Sequence, residues 1–145
     1  MTKVERTLII NQPVEKVFAY VTNPRNNPKW QPDILDSRIS PDEPTHVGTR
    51  VTDVRSLLGR KFEVTTEVIE FELNKMLHIK STSGPIPFSA YITFESVSGG
   101  TKINLLAEAE PTGFFKLAER MFSSTWRKGL EDSLNKLKEL LEGQI

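Results

Sequence analysis

Residues 112–145, TGFFKLAERMFSSTWRKGLEDSLNKLKELLEGQI, decide the fold that we predict for this protein. Their apolar side chains recur at steps of three and four, the spacing that lines one face of an α-helix. The members of this face are Phe114, Leu117, Ala118, Met121, Phe122, Trp126, Leu130, Leu134, Leu137 and Leu141. The spacing predicts one amphipathic helix over the whole segment. No comparable helix is indicated elsewhere, so a sheet must cover this face, and a curved sheet around a helix leaves room for a cavity.

The residues before this segment predict two short helices and seven strands. A first strand at residues 3–10 leads into a helix with Pro13 in its first turn and Asn11 or Gln12 as the N-cap candidate. A turn or a short second helix fits the proline-rich residues 26–31. The six further strands are predicted at residues 34–40, 48–58, 61–72, 75–83, 88–95 and 101–110. Because short links join consecutive strands, we predict an α+β fold with one antiparallel sheet and the helices on one face.

Composition narrows the class of protein. The 145 residues suit one domain, which we predict over residues 1–145. Lys plus Arg and Asp plus Glu both number 19, and this balance argues against a nucleic-acid partner. The absence of Cys excludes disulfides, thiolate catalysis and Cys-based metal sites. Without a signal-like apolar core or an apolar run of about 18–20 residues, we expect a cytoplasmic protein with no stable membrane insertion.

Several short motifs follow one another along the chain. They are PVEKVF at residues 13–18, NP at 23–24, PKW at 28–30, GT at 48–49, GR at 59–60, GGT at 99–101 and LxxLKxxLE at 134–142. In this order and spacing, the motifs resemble the polyketide cyclase/dehydrase-like branch of the SRPBCC superfamily. Its helix-grip fold is shared with the START lipid-transfer domains and the birch-pollen-allergen family. The resemblance covers essentially the whole chain.

The resemblance implies a seven-stranded antiparallel curved sheet that grips the C-terminal helix around an internal pocket. It does not imply one activity, because the superfamily includes lipid carriers, hormone receptors, aromatic cyclases, dehydratases and chaperone-activating domains. The glycine-rich loop of the pollen-allergen branch is missing, since residues 57–60 form a plain hairpin. His46 and His78, the two histidines, do not match the metal set of ring-hydroxylating oxygenases. We therefore predict no metal and no cofactor, and the catalytic residues, if any, are unknown.

The predicted ligand-binding residues face inward from the strands or from the last helix. They are Trp30, Val64, Phe88, Ala90, Phe94, Ala107, Ala109, Phe114, Met121 and Phe122. The small residues Ala90, Ala107 and Ala109 either leave volume between sheet and helix or simply let the helix pack closely. The larger strand residues serve as pocket wall or as core, two roles that the pattern does not separate.

Aromatic residues in two segments have alternative roles. Trp30 either anchors the proline-flanked segment to the sheet, which we favour, or contacts a ligand. Met121 and Phe122 belong to a cluster that is usually core. Phe114 and Phe115 are adjacent and cannot face the same way. One of them would close the pocket mouth or form an exposed apolar patch for a partner.

Four residues are candidates for polar groups in the pocket. Asp53 and Arg55 share a strand face with apolar neighbours and would form a polar end of the pocket if that face is inward. We favour the outward orientation, because charged residues are seldom fully buried. His78 is more simply a structural residue, and alternation points Tyr91 outward. Catalysis needs an acid and a base within about 3 Å of the reacting atoms, and the sequence brings no two candidates together.

Three functions remain open at this stage. We favour a non-enzymatic protein that binds a small hydrophobic molecule, such as a lipid, an isoprenoid or a polyketide-like compound, between sheet and helix. The second is a cyclase or dehydratase that uses the same cavity, and it requires acid–base groups inside. The third is a protein-interaction module with a packed interior and an exposed apolar patch. The oligomeric state, monomer or dimer, has no specific signature.

Overall fold

The computed structural model describes residues 1–143, and its main element is one seven-stranded sheet. The strands are β1 (Thr2–Ile10), β2 (Ile34–Ser40), β3 (Arg50–Leu57), β4 (Arg60–Glu72), β5 (Met76–Ser83), β6 (Phe88–Val97) and β7 (Gly100–Ala109). All neighbours pair antiparallel, in the order β1-β7-β6-β5-β4-β3-β2. The meander predicted from short links is confirmed, and β1 is added beside β7 by a long-range pairing.

Two groups of helices accompany the sheet. Between β1 and β2 lie α1 (Val14–Val21), a 3-10 helix (Pro24–Asn26) and α2 (Asn27–Trp30), and after β7 come α3 (Gly113–Leu117) and α4 (Glu119–Glu142). The main core combines α1, α2 and α4 with the same face of β7, which places all three helices on one side of the sheet. The predicted helix-grip fold with short helices after the first strand is confirmed.

The C-terminal segment is not one continuous helix, which corrects the prediction made from its spacing. The backbone of Ala118 leaves the helical region, with φ −102° and ψ 31°, and separates α3 from α4. Helical periodicity does not continue across such a break, so the apolar face predicted before it is displaced. Leu117, before the break, is 91% exposed, whereas Phe122, after the break, is fully buried as predicted. Residues 144 and 145, included in the predicted helix, lie outside the described residues.

Asn11 and Gln12 do not cap α1, whose N-cap is Pro13 without a side-chain bond. They hold the end of α4 instead. The Asn11 backbone N–H donates to a carboxylate oxygen of Glu142 at 2.8 Å, and Gln12 Nε2 donates to the Leu141 carbonyl at 2.8 Å. These bonds fix the C-terminal end of α4 against the junction of β1 and α1.

The hairpin between β6 and β7 contains a position that requires glycine. A Cβ on Gly100 would lie 2.1 Å from the backbone oxygen of Ile10, far inside van der Waals contact. We expect Gly100→Ala to destabilise the protein by at least about 2 kcal/mol, because β1 would have to move away from β7. Urea denaturation measures the effect.

Gly129 in α4 is the matched control for this prediction. A Cβ there would have no neighbour within 4 Å, and its backbone is helical. Gly129→Ala should therefore stabilise the protein by about 0.5–1 kcal/mol. Equal effects of the two substitutions would contradict the close approach at Gly100.

Candidate functional site

A cavity lies between the helix-covered face of the sheet and α4. The space open to the centre of a water-sized sphere inside it is about 140 Å³. Most of its wall is apolar. The apolar residues from the sheet and its loops are Val51, Leu57, Phe62, Val64, Val68, Leu77, Ile79, Ile86, Phe88, Ala90, Ile92, Ile103, Leu105 and Ala107, and those from α4 are Trp126, Leu130, Leu134 and Leu137.

Three charged residues line the cavity among the described residues: Asp33, Asp53 and Arg55. Arg55 Nη1 lies 2.7 Å from Asp33 Oδ2, and Arg55 Nη2 lies 3.5 Å from Asp53 Oδ2. The Ser37 hydroxyl donates a hydrogen bond to Asp53. The guanidinium carbon of Arg55 is 5.7 Å from the centre of the Phe88 ring. One guanidinium thus joins two carboxylates beside an aromatic wall.

Asp53 has an unusual environment for a carboxyl group. It is only 3% exposed, and burial raises its pKa above the usual value of 3.8. The positive charge of Arg55 and the hydrogen bond from Ser37 both lower the pKa, but desolvation outweighs them. Asp53 therefore holds its proton to a higher pH than an ordinary aspartic acid does.

The outward orientation that we favoured for Asp53 and Arg55 is wrong. On β3 the residues that alternate inward include both of them, and they lie opposite Val64 and Phe62 of β4, which also line the cavity. Burial is tolerated because each charge has a partner of opposite sign. The apolar neighbours on the same strand face were the available signal. The partner Asp33, on another segment, was not readable from spacing.

Trp30 has the anchoring role that we favoured, and its ligand contact stays a prediction. It is 8% exposed and packs in the main core, so it anchors α2 to the sheet. It also lines the cavity. Its indole Nε1 and the Nε of Arg55 are buried without a hydrogen-bond partner among the described residues.

The other predicted ligand-binding residues divide into two groups. Val64, Phe88, Ala90 and Ala107 line the cavity. Phe94, Ala109 and Phe122 are buried in the core behind the cavity wall and do not line the cavity. The Phe94 ring meets the Phe18 ring edge-on at 4.9 Å, and Ala109 and Phe122 pack with Ile86 and Phe115. Alternation identified inward residues correctly, but it did not show how far along each strand the cavity extends.

Phe114 and Met121 lie at the surface rather than in the cavity. Phe114 is 39% exposed beneath Arg60, whose guanidinium carbon is 3.8 Å from the ring centre, and Met121 is 62% exposed. Phe115 is the inward member of the adjacent pair, and its ring meets that of Phe62 at 5.2 Å. The exposed apolar residues required by an interaction module are present, but the packed interior is not, because the cavity exists.

His78 and Tyr91 lie on the opposite face of the sheet. His78 Nδ1 is 2.8 Å from a carboxylate oxygen of Glu70, and its ring packs edge-on against Tyr91. Tyr91 lines a shallow depression on that outer face. Of the polar candidates, only Asp53 and Arg55 therefore reach the cavity.

Several cavity residues were not among the predicted site. Trp126, Leu130, Leu134 and Leu137 were predicted to lie on the apolar helix face, but they were not predicted to bind a ligand. Asp33, Leu57, Thr66 and Ser133 were not predicted as site residues. Within residues 1–143, no three His, Cys, Asp or Glu side chains are grouped so as to hold a metal ion. None of the helices in this range is both long and apolar enough to cross a membrane.

The sequence also matches a known family over nearly its full length. The family model described as polyketide cyclase / dehydrase and lipid transport matches residues 1–142. The chain belongs to this family. The resemblance to its branch of the SRPBCC superfamily is thereby confirmed. No match is found among the curated proteins.

Solved structures share the fold of this polyketide cyclase/dehydrase and lipid-transport family member. TTHA0849 from Thermus thermophilus is 18% identical, with a TM-score of 0.83 and 98% of each chain covered. A START superfamily protein from Mycobacterium smegmatis is 15% identical, with a TM-score of 0.76 and full coverage of both chains. Ara h 8.0201 is 15% identical, with a TM-score of 0.69 and 97% of each chain covered. At these identities the likeness concerns the fold alone.

Proposed function

We propose that the protein, as one domain over residues 1–145, binds a small hydrophobic molecule in the cavity and does not transform it. The observation that carries this proposal is the cavity itself, whose wall is mostly apolar and contains one charged cluster. Family membership supports it, since the family description includes lipid transport. Burial of apolar ligand surface would contribute about 25 cal/mol per Å² to affinity.

The size of the cavity restricts the ligand. Its open space of about 140 Å³ is close to that of an apolar cavity of about 150 Å³ that binds benzene. A compact ring compound, such as a polyketide-like or cyclic isoprenoid molecule, therefore fits this cavity better than a long acyl chain. The cytoplasmic location and the monomeric or dimeric state stay predictions from the sequence.

The direct test is native mass spectrometry of the protein purified from its own host, followed by organic extraction. A defined apolar compound at near-stoichiometric amount supports the proposal. In parallel, the unliganded protein is titrated with tetralin, a compact bicyclic hydrocarbon, and the exchange is followed by NMR. Failure to retain any compound together with failure to bind tetralin would refute the proposal.

Ala107 offers a test of where the ligand lies. It is 2% exposed, lines the cavity and lies opposite Ala90 of β6. We expect Ala107→Leu to lower tetralin affinity about tenfold or more, because the added carbons occupy ligand space. Glu108→Leu places the same side chain on the other face of β7 and should leave the affinity unchanged. Similar affinities in both variants would contradict this placement.

An acid–base enzyme is the second candidate, and one observation favours it. Asp53 is a buried carboxyl group with a raised pKa that faces the cavity. Such a group can exchange a proton with a bound compound. The partner that an acid–base pair needs is not found in His78 or Tyr91, which face away. The extracted ligand decides between the two functions: conversion by the wild type and none by Asp53→Asn would establish the enzyme.

A further inference from the structure

Two buried N–H groups indicate which polar atoms the ligand carries, which the apolar wall does not. Trp30 Nε1 and Arg55 Nε have no hydrogen-bond partner among residues 1–143, and both residues line the cavity. Trp30 is 8% exposed, and the Arg55 side chain is 17% exposed. Buried donors are nearly always paired in native proteins, because an unpaired one keeps its full desolvation cost.

Both groups are donors only, so their complement is an acceptor atom. An indole N–H and a guanidinium N–H cannot accept a hydrogen bond. Protein acceptors are present nearby, but the carboxylates of Asp33 and Asp53 engage the Nη atoms of Arg55 and leave Nε free. A purely hydrocarbon ligand would leave both donors unsatisfied. An oxygen on the ligand would satisfy them.

The charge of the cluster determines which kind of oxygen fits. Asp33, Asp53 and Arg55 are the charged residues of the cavity wall, two acids and one base. The cluster is neutral when Asp53 holds its proton and carries one net negative charge when both acids are ionised, so in neither state does it have a spare positive charge. A ligand carboxylate would therefore add an uncompensated charge in a poorly solvated space. A neutral carbonyl oxygen accepts hydrogen bonds without this cost.

We propose that the ligand carries one or two neutral carbonyl-type oxygens, which accept hydrogen bonds from Trp30 Nε1 and Arg55 Nε. The apolar remainder of the molecule occupies the cavity between β4, β7 and α4. This inference rests on the proposed function, since it requires that the cavity binds a ligand. It assigns Trp30 and Arg55 as the residues that select an oxygenated ring compound over a plain hydrocarbon.

Three probes of the same ring size test the inference: tetralin, its ketone tetralone, and tetralin carboxylate. The measured quantity is the ratio of the tetralone and tetralin dissociation constants, so that changes in cavity shape cancel. Trp30→Phe removes the N–H and keeps an aromatic ring, and Arg55→Lys keeps the charge and removes Nε. We expect each variant to shift the ratio against tetralone by about 2- to 10-fold.

Tyr91→Phe is the matched control. It removes a hydrogen-bond donor from an aromatic side chain on the opposite face of the sheet and leaves the cavity wall unchanged. The tetralone-to-tetralin ratio of this variant should equal that of the wild type. Retained tetralin binding in each variant shows that the protein is folded.

The outcomes separate this inference from the proposed function. If both neutral probes bind and the Trp30→Phe and Arg55→Lys ratios equal the wild-type ratio, the oxygen contact is refuted and ligand binding stands. Carboxylate binding that is tighter than tetralone binding refutes the choice of a neutral group. If neither neutral probe binds to the wild type, the proposed function fails, and this inference with it.

Discussion

Phe122→Ala should destabilise the protein by about 3–5 kcal/mol, the range found when a large aromatic side chain is deleted from a core. Phe122 is fully buried. Its ring stacks on Trp126 at 5.9 Å and meets Phe115 at 6.2 Å. Removing the ring leaves a void between α3, α4 and the loop at Ile86, and rigid strands can only partly close it. Urea denaturation of the variant measures the loss.

Met121→Ala is the control for this prediction, because Met121 is the preceding residue and is 62% exposed. Its removal should change the free energy of unfolding by no more than about 0.5 kcal/mol. Comparable losses for the two variants would mean that α4 is rotated about its axis relative to the structure described above. The comparison thus tests which face of α4 is buried at the start of this helix.

Arg55→Met should cost about 3–5 kcal/mol near neutral pH, since it leaves two acids in the cavity wall without their common cation. Asp53 is most affected, because it is 3% exposed and Arg55 is the positive charge that lowers its pKa. Arg38→Met is the control. Arg38 pairs with Glu63 at 3.2 Å at the surface, where both side chains are more than 60% exposed, so the loss should be at most about 1 kcal/mol.

The pH dependence of the Arg55→Met loss follows from the raised pKa of Asp53. The folded protein binds the Asp53 proton more tightly than the unfolded chain does. The stability that this proton binding contributes is therefore fully present below pH 3.8, the pKa of the unfolded chain, and is lost as the pH rises through the higher pKa of the folded protein. Without Arg55 the folded pKa rises further. The difference between variant and wild type should therefore grow from acid toward neutral pH. An equal loss of stability at acid and at neutral pH would contradict the pairing of Arg55 with Asp53.

The strands could be predicted because their signals are local. In β6 and β7, alternation placed Ala90 and Ala107 inward and Tyr91 outward, and the register of the two strands agrees. Turn residues between consecutive strands then determined most of the sheet order. The pairing of β1 with β7 depends on residues about a hundred positions apart, so local spacing could not predict it, and the family resemblance implied only that the sheet has seven strands.

The candidate site was less predictable, because its decisive interactions are long-range. The orientation of Asp53 depends on Ser37 and Arg55, and that of Arg55 depends on Asp33 in the segment before β2. A single charged residue on a strand is best assigned to the surface. Asp53 and Arg55 can face inward only because their charges are paired with each other and with Asp33. The break at Ala118 has no Pro or Gly to signal it, so Leu117 was placed on the buried face although it is exposed.

The pairing of the first strand with the last has a consequence for synthesis on the ribosome. Thr2 lies opposite Ala109, so the first strand of this sheet to be synthesised cannot form its pairing until the last strand of the sheet has been made. Until then, β1 has no partner strand, and its apolar residues Val4 and Ile10 are not yet buried against β7 and the helices. Such a topology also slows folding, because a large loop must close before the pairing forms. β1 is therefore the strand of this sheet that waits longest for its partner.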